Sequence, residues 1–381
     1  MVATAMTFGI RADILGQLVT QFHLSNEQVG WIAGTAFWGF TLSMFLGGPL
    51  CDWLDMNRVI QIAFITHLLG IGATIQARGY PGLFVGTLAI GMGNGFYESA
   101  ANPLIATLYR DNKTERLNRL HVWFPGGIVI GCLVGLAARN IGLTWRAEMA
   151  TILVPTFIYG LFFLRTQLPQ TERIERRVAS SVMYRQALRP GLLLLLFCIL
   201  LTAATELGPN QWIPSLLTNA LNLSGVVVLI WITGLMAIGR RFVGPIVRRI
   251  SPIALLMFSA ILAAVGLFGL GSSASAINVY TAATMYAVGV CYFWPTMYGI
   301  TAERFPAGGA FLLSLMGGIG MLSDALVIPM MGRMYDKIGA LATLRYVAIL
   351  PCAALLIFML IWLHDLRHGG YRVAQIDKFV T

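Results

Sequence analysis

Several ionisable residues stand inside stretches that are otherwise apolar: Arg11, Asp13, His67, Glu98, Glu206 and Asp324. A charge in a bilayer core costs about 3 kcal/mol or more, so such a residue carries a partner, a proton or a task. The richest stretch runs from Gly91 to Pro103, G-M-G-N-G-F-Y-E-S-A-A-N-P, with Glu98 followed one helical turn later by Asn102. Gly91, Gly93, Gly95 and Ser99 are small enough to let a neighbouring helix approach closely. Glu98 is the first candidate for a proton carrier, because a protonated carboxyl lets a cavity close without trapping a charge. The plainer alternative is a permanently protonated, hydrogen-bonded glutamate within the bundle. Arg11 keeps its proton, so it can act only through a neighbour. It is expected to pair with Glu98 or Glu206 as a switch in proton coupling, or, more plainly, as a buried ion pair that fixes packing. Asp13 lies about 200° around the helix from Arg11 and is expected to join the polar stripe of Gln17 and Gln21.

A second group of residues suits a small polar solute. Thr202, Glu206 and Asn210 share one helix face at i, i+4 spacing, and Gln211 and Trp212 follow just after Pro209. Carboxamides and carboxylates bind hydroxyls, and an aromatic face suits the apolar side of a ring. Trp294 and Tyr298 lie one turn apart beside Pro295 and could form that platform, although both residue types also anchor helices at membrane interfaces. With Asn102 and Gln17 these give the candidate binding set. Asp324, amid Gly317, Gly318, Gly320 and Ser323, is expected to have a structural partner on a neighbouring helix rather than to be a second ion site. His67 is expected to be a packing histidine.

The surroundings of these residues are those of an integral membrane protein. Of 381 residues, 57% are hydrophobic and only 11% charged, and mean hydropathy is +0.75. Soluble chains carry about 25% charged residues. The net charge of +10 is spread between apolar segments and marks topology rather than a nucleic-acid surface. The five cysteines have neither disulfide nor metal spacing and read as small hydrophobes. No cofactor motif is present: there is no phosphate-binding glycine loop, and no His-Glu-x-x-His. The chain is not expected to be an enzyme. The first apolar segment lacks a basic n-region, so no cleavable signal is read; its shortness raises an upstream native start, which mass spectrometry would test. Asn222-Leu223-Ser224 is a sequon, relevant only in a eukaryotic secretory setting.

Twelve segments have the length needed to cross a bilayer, about 2–22, 28–51, 59–77, 81–109, 120–138, 147–165, 190–217, 224–247, 252–271, 276–302, 308–332 and 341–363. Ser25-Asn26 offers helix caps, and Pro81, Pro190 and Pro252 open helices. With the N-terminus inside, 19 basic residues fall on inside loops and six outside, which predicts both termini in the cytoplasm. The basic stretch 167–189 divides the chain into six-helix halves, 1–166 and 190–381. The halves echo each other. Gly48-Pro49-Leu50 answers Gly244-Pro245-Ile246, Asn102-Pro103 answers Trp294-Pro295, and Gly126-Gly127-Ile128 answers Gly317-Gly318-Ile319, in the same order with a slowly drifting offset.

Twelve helices in two parallel six-helix repeats resemble the major facilitator superfamily. Gly48-x-x-x-Asp52 with Arg58 is similar to a degenerate form of its loop signature, and Gly239-Arg240-Arg241-Phe242-Val243-Gly244 is similar to the matching region of the second half. This implies a cytoplasmic latch of Gly48, Asp52, Arg58, Arg240 and Arg241. The drug-antiporter pattern of the fifth helix is absent. Glu98-Ser99-Ala100-Ala101-Asn102-Pro103 resembles the fourth-helix motif of the fucose–proton symporter branch, and Glu206-Leu207-Gly208 with Trp212 is similar to its seventh helix. Gly16 stands where that branch has a coupling aspartate, so Asp13 would have to substitute.

The resemblance implies helices 1, 4, 7 and 10 around a central cavity, and a monomeric proton-coupled symporter of a monosaccharide or related solute in the cell membrane. An exporter of amphipathic compounds or lipid, and a sensor without turnover, are the alternatives.

Overall fold

Each of the twelve expected spans coincides with helix, unbroken in some cases and in two pieces in others. The computed structural model describes residues 1–379 except Asn222, without the side chains at 26, 27, 219, 378 and 379. The sequon at Asn222 and the side chain of Asn26 therefore lie outside the described residues. We label the spans α1 (Val2–Phe22), α2 (Asn26–Trp53), α3 (Met56–Ile75), α4 (Tyr80–Leu108), α5 (Lys113–Leu120 and Trp123–Asn140) and α6 (Trp145–Ala150 and Leu153–Leu164). Two short helices, Glu172–Glu175 and Ser180–Ala187, lead to α7 (Pro190–Leu221), α8 (Gly225–Arg241, then Gly244–Val247) and α9 (Pro252–Leu270). The last three are α10 (Ala276–Val290 and Phe293–Arg304), α11 (Gly309–Ile338) and α12 (Ala340–Val347 and Ile349–Arg367). No strand occurs among the described residues.

Among the described residues nine helical stretches are long and apolar enough by themselves to cross a membrane. The three spans outside that set have readable causes. α1 carries Arg11 and Asp13, α4 is rich in glycine and carries Glu98, and the main piece of α8 has 17 residues. Polar character is concentrated in helices that bury it against protein instead of presenting it to lipid.

Local signals set the helix starts. Ser25 and Gln28 form a reciprocal capping box on α2, with Gln28 N–H donating to Ser25 Oγ at 3.2 Å and Ser25 N–H to Gln28 Oε1 at 3.0 Å. Asp55, at φ 84°, accepts from the Arg58 N–H and starts α3. Pro190 and Pro252 open α7 and α9, and Pro81 is the second residue of α4.

Glycines set the helix spacing, as the small-residue pattern predicted. A Cβ on Gly91 would lie 2.8 Å from Ala36 Cα, and one on Gly95 would lie 2.5 Å from the Phe40 carbonyl. α2 therefore lies directly on α4, at a distance only glycine permits. His67 staples the same region: its Nδ1 lies 2.7 Å from Tyr159 Oη and its Nε2 2.8 Å from Asn94 Oδ1. Asn94 Nδ2 in turn donates to Thr7 Oγ1 at 3.1 Å. One histidine thus joins α6, α3, α4 and α1, which is the packing role expected of it.

The first six and last six spans meet tightly at the end that carries the 167–189 linker. A Cβ on Gly48 of α2 would lie 2.8 Å from Ser314 Cβ of α11, and one on Gly299 of α10 would lie 2.7 Å from Thr114 Cα at the start of α5. Thr114 N–H and Oγ1 both donate to Glu303, at 3.1 and 2.6 Å. The linker lies over this seam. Arg173 Nε donates to Asp52 Oδ2 at 2.8 Å, Thr171 Oγ1 to Asp52 Oδ1 at 2.5 Å, and Lys113 Nζ to Glu172 at 2.7 Å, while Arg110 pairs with Glu175. The Arg110 guanidinium, hydrogen-bonded to the Glu175 carboxylate, holds that acid below its ordinary value.

Candidate functional site

Three interruptions in helix geometry converge near the middle of the molecule. α5 breaks at His121–Val122, α10 at Cys291–Tyr292, and the main part of α8 ends at Arg241. A break leaves backbone carbonyls short of their usual helical partners, and the Arg240 side chain donates to two carbonyls at the breaks, of which that of His121 also accepts from the Phe124 N–H. Its Nε donates to the Cys291 carbonyl at 2.6 Å and its Nη1 to the His121 carbonyl at 3.2 Å. Its Nη2 donates to Glu206 Oε1 at 2.8 Å, and both side chains of this ion pair are almost fully buried. The guanidinium therefore ties α7, α8 and α10 to α5 of the opposite half.

Glu98 lies on the other side of the same space. It is 1% exposed, its Oε1 has no hydrogen-bond partner among the described residues, and Oε2 receives only a 3.5 Å contact from Asn102 Nδ2. Asn102 Oδ1 is 3.0 Å from His121 Nε2, and the His121 ring lies 5.8 Å from that of Tyr298. Trp294 and Tyr298 are 5.7 Å apart with planes inclined by 33°. Both are buried, and the Tyr298 hydroxyl has no partner among the described residues. They are therefore interior residues and not interface anchors.

Glu98, His121, Phe124, Glu206, Leu207, Arg240, Trp294 and Met321 line a small central cavity. Side chains crowd it so closely that its centre has room for about one water. The arrangement is a closed polar centre with one compensated carboxylate, Glu206, and one carboxyl, Glu98, that no cation pairs.

Several expectations need correction. Arg11 pairs with neither Glu98 nor Glu206; its guanidinium lies over the rings of Phe8 and Phe37, 5.1 and 5.8 Å from their centroids. Glu206 takes Arg240 instead, because the helix break carries Arg240 inward from the loop signature that suggested a latch. Arg240 is thus a central residue. Asp13 does not join Gln17 and Gln21. It pairs with Arg139 at 2.8 Å, and a Cβ on Gly135 would meet both its Oδ2 (2.7 Å) and Glu148 Oε1 (2.8 Å), so it faces α5 and α6. Gln21 accepts from Trp145 Nε1 at 2.6 Å.

The latch is also built differently. Asp52 is held by Arg173 of the linker, whereas Arg58 stays by its own cap Asp55 and Arg241 lies exposed beside Phe242. Gly48 lies at the seam, against Ser314 of α11. Asp324 is fully buried, yet neither oxygen has a partner among the described residues, so the expected structural partner is missing. Trp212 donates from Nε1 to the Ile328 carbonyl at 3.0 Å, which makes it a packing contact of α7 with α11. Asn210 is buried with Oδ1 unpartnered, and Gln17 and Gln211 are half-buried; none of the three borders the central cavity.

The sequence matches the profile of the Major Facilitator Superfamily over residues 1–311. The chain belongs to this superfamily. It is similar to the putative niacin/nicotinamide transporter NiaP of Bacillus subtilis, 23% identical over 374 residues, which cover 93% of this chain and 92% of that protein. It is likewise similar to the hexuronate transporter of the same organism, 22% identical, with 83% and 81% covered. The outward conformation of the fucose:proton symporter FucP superposes with a TM-score of 0.74 at 16% identity, covering 94% of this chain and 97% of that one.

As a superfamily member the chain is an integral membrane transporter whose two six-helix repeats enclose the centre described above. Two buried polar residues escaped the sequence reading, His121 on the central cavity and Glu148 beside Asp13. His121 lies between two apolar runs in a stretch that looks like a loop, and Pro125 four residues on was the available signal of a break. Glu148 stands beside Thr144 at a helix start and reads there as an ordinary first-turn acid.

Proposed function

We propose that this chain is a proton-coupled symporter of a monosaccharide or related small polar solute, working by alternating access between halves 1–166 and 190–381 joined by the 167–189 linker. The observation that carries the reading is Glu98, a buried carboxyl with one free oxygen on the cavity that also holds the Arg240–Glu206 pair. Charge cannot cross an apolar barrier cheaply, so a carboxyl that empties and refills with a proton suits a carrier that must close around its load. Asn102 positions Glu98 and passes its orientation to His121 and from there to the opposite half. Solute would enter between Glu98, Trp294 and Tyr298, where an aromatic face and polar groups stand together. The relatives named for niacin/nicotinamide and for hexuronate widen the solute class beyond neutral sugars.

The basic loops support placing the linker end in the cytoplasm, and on that placement the present conformation is sealed toward the cytoplasm. Rocking of the halves about the centre would break the seam at Gly48 and Gly299 and open the route to the cytoplasm. Purified protein in proteoliposomes with an imposed pH gradient and a solute panel tests the proposal. Glu98→Gln is expected to abolish proton-driven accumulation while leaving exchange measurable. Unimpaired accumulation by this variant would remove Glu98 from the coupling role.

A further inference from the structure

Among the described residues, the buried arginine and lysine side chains have carboxylate partners, with one exception. Arg240 has Glu206, Arg173 has Asp52 and Lys113 has Glu172. Arg11 is 6% exposed, no described carboxylate lies within 4.0 Å of it, and its Nη2 has no hydrogen-bond partner among the described residues. Its compensation consists of the rings of Phe8 and Phe37. Such contacts return less than an unpaired buried ion costs. The Phe8 ring lies 5.7 Å from Phe124, which lines the central cavity. Two aromatic rings, Phe8 and Phe124, therefore separate the guanidinium from the space where solute is expected.

We propose that Arg11 receives the carboxylate of the transported solute, so that the substrate class is a small organic acid. This rests on the transporter reading above and narrows it. The charge count supports it, since Glu206 already cancels Arg240 and a neutral solute leaves Arg11 uncompensated. A monocarboxylate would bring this set to neutrality before the halves move. The planar guanidinium fork matches a carboxylate through two parallel hydrogen bonds. Phe8, Phe37 and Phe124 offer a rigid apolar wall for the body of the solute. In this scheme Arg11 binds solute, and Glu98 carries the proton.

The test is calorimetric titration of the purified full-length protein with two matched pairs, nicotinate against nicotinamide and glucuronate against glucose. In at least one pair the acid is expected to bind tenfold or more tightly than its neutral partner. The pair that shows the gap tells whether the acid's body is aromatic or sugar-like. Arg11→Gln is expected to erase the gap, and Arg11→Lys, which keeps the charge without the fork, to retain part of it.

Equal binding within both pairs, binding of neither acid, or a gap that survives Arg11→Gln overturns the proposal. Where Arg11→Gln is not monodisperse in detergent, the wild-type comparison and Arg11→Lys still decide it. Counterflow in proteoliposomes is scored separately. Flux of glucose with no preference for either acid leaves the transporter reading standing and overturns this one. Acid binding at Arg11 with no flux of any solute supports this proposal and overturns the transporter reading.

Discussion

Arg240 makes the most consequential contacts of any single side chain, with three hydrogen bonds to three different helices in a buried site. Its replacement leaves Glu206 as an uncompensated buried carboxylate and frees two carbonyls, a combination that costs about 3–5 kcal/mol. Arg240→Gln is expected to lower the thermal midpoint in detergent, and the double variant with Glu206→Gln to recover part of that loss. A single variant as stable as wild type would show that the pair contributes little. Trp294 packs on Gly320, where an added Cβ would lie 2.6 Å from its ring, and on the solute side it borders the cavity. Trp294→Ala is expected to abolish solute binding at normal expression. Unchanged affinity in a titration would reduce the indole to packing.

Between elements, the decisive contacts are those where backbones touch. Gly299 is the clearest case, because Thr114 across the seam is backbone-close and belongs to the other half. Gly299→Ala forces α5 and α10 apart at the linker end without touching the central cavity. The expected outcome is a shift toward the conformation open at that end, read as faster maleimide labelling of a cysteine placed at Thr301 beside the seam. Labelling no faster than in the matched Gly299 protein would mean that the seam absorbs a methyl group. The linker helix Glu172–Glu175 is tied to the first half through Asp52, Lys113 and Arg110, and its Arg173 meets the second half at Gly309, where an added Cβ would lie 3.0 Å from the Arg173 Cβ. It occupies a place where the sequence suggested arginines of the loops themselves.

For the whole molecule, the balance of basic residues supports the proposal that the linker end, which is the closed one, faces the cytoplasm. Single cysteines at Ser180 in the linker and at Ser272 in the loop after α9 should label oppositely with an impermeant reagent on intact cells, Ser272 reacting and Ser180 protected. The reverse pattern would invert the proposed orientation and place the closed end outside. Either way, closure at one end and a centre with room for about one water support the proposed entry of solute by movement of whole halves. The cavity is too small for loading by side-chain rearrangement alone.

Much of this was determined by the sequence alone, because the bilayer is a demanding solvent. Twelve apolar runs of sufficient length, prolines at their starts and glycines along α4 dictate helices and their close approach, since backbone polar groups in lipid must be satisfied within the segment. Glu98 and Asn102 stood out for the same reason, as polar groups where polarity is costly. What the tertiary structure decided is which charge meets which. Arg240 sits in a loop-like signature and reaches the centre only because α8 ends and α10 breaks beside it. Arg11 looked like the counter-ion of Glu98 yet rests on phenylalanines, and Asp13 turns to Arg139. Helical spacing gives the face of a residue on its own helix, but ion pairs here form between helices, and their rotation and breaks are set by packing that no single segment encodes.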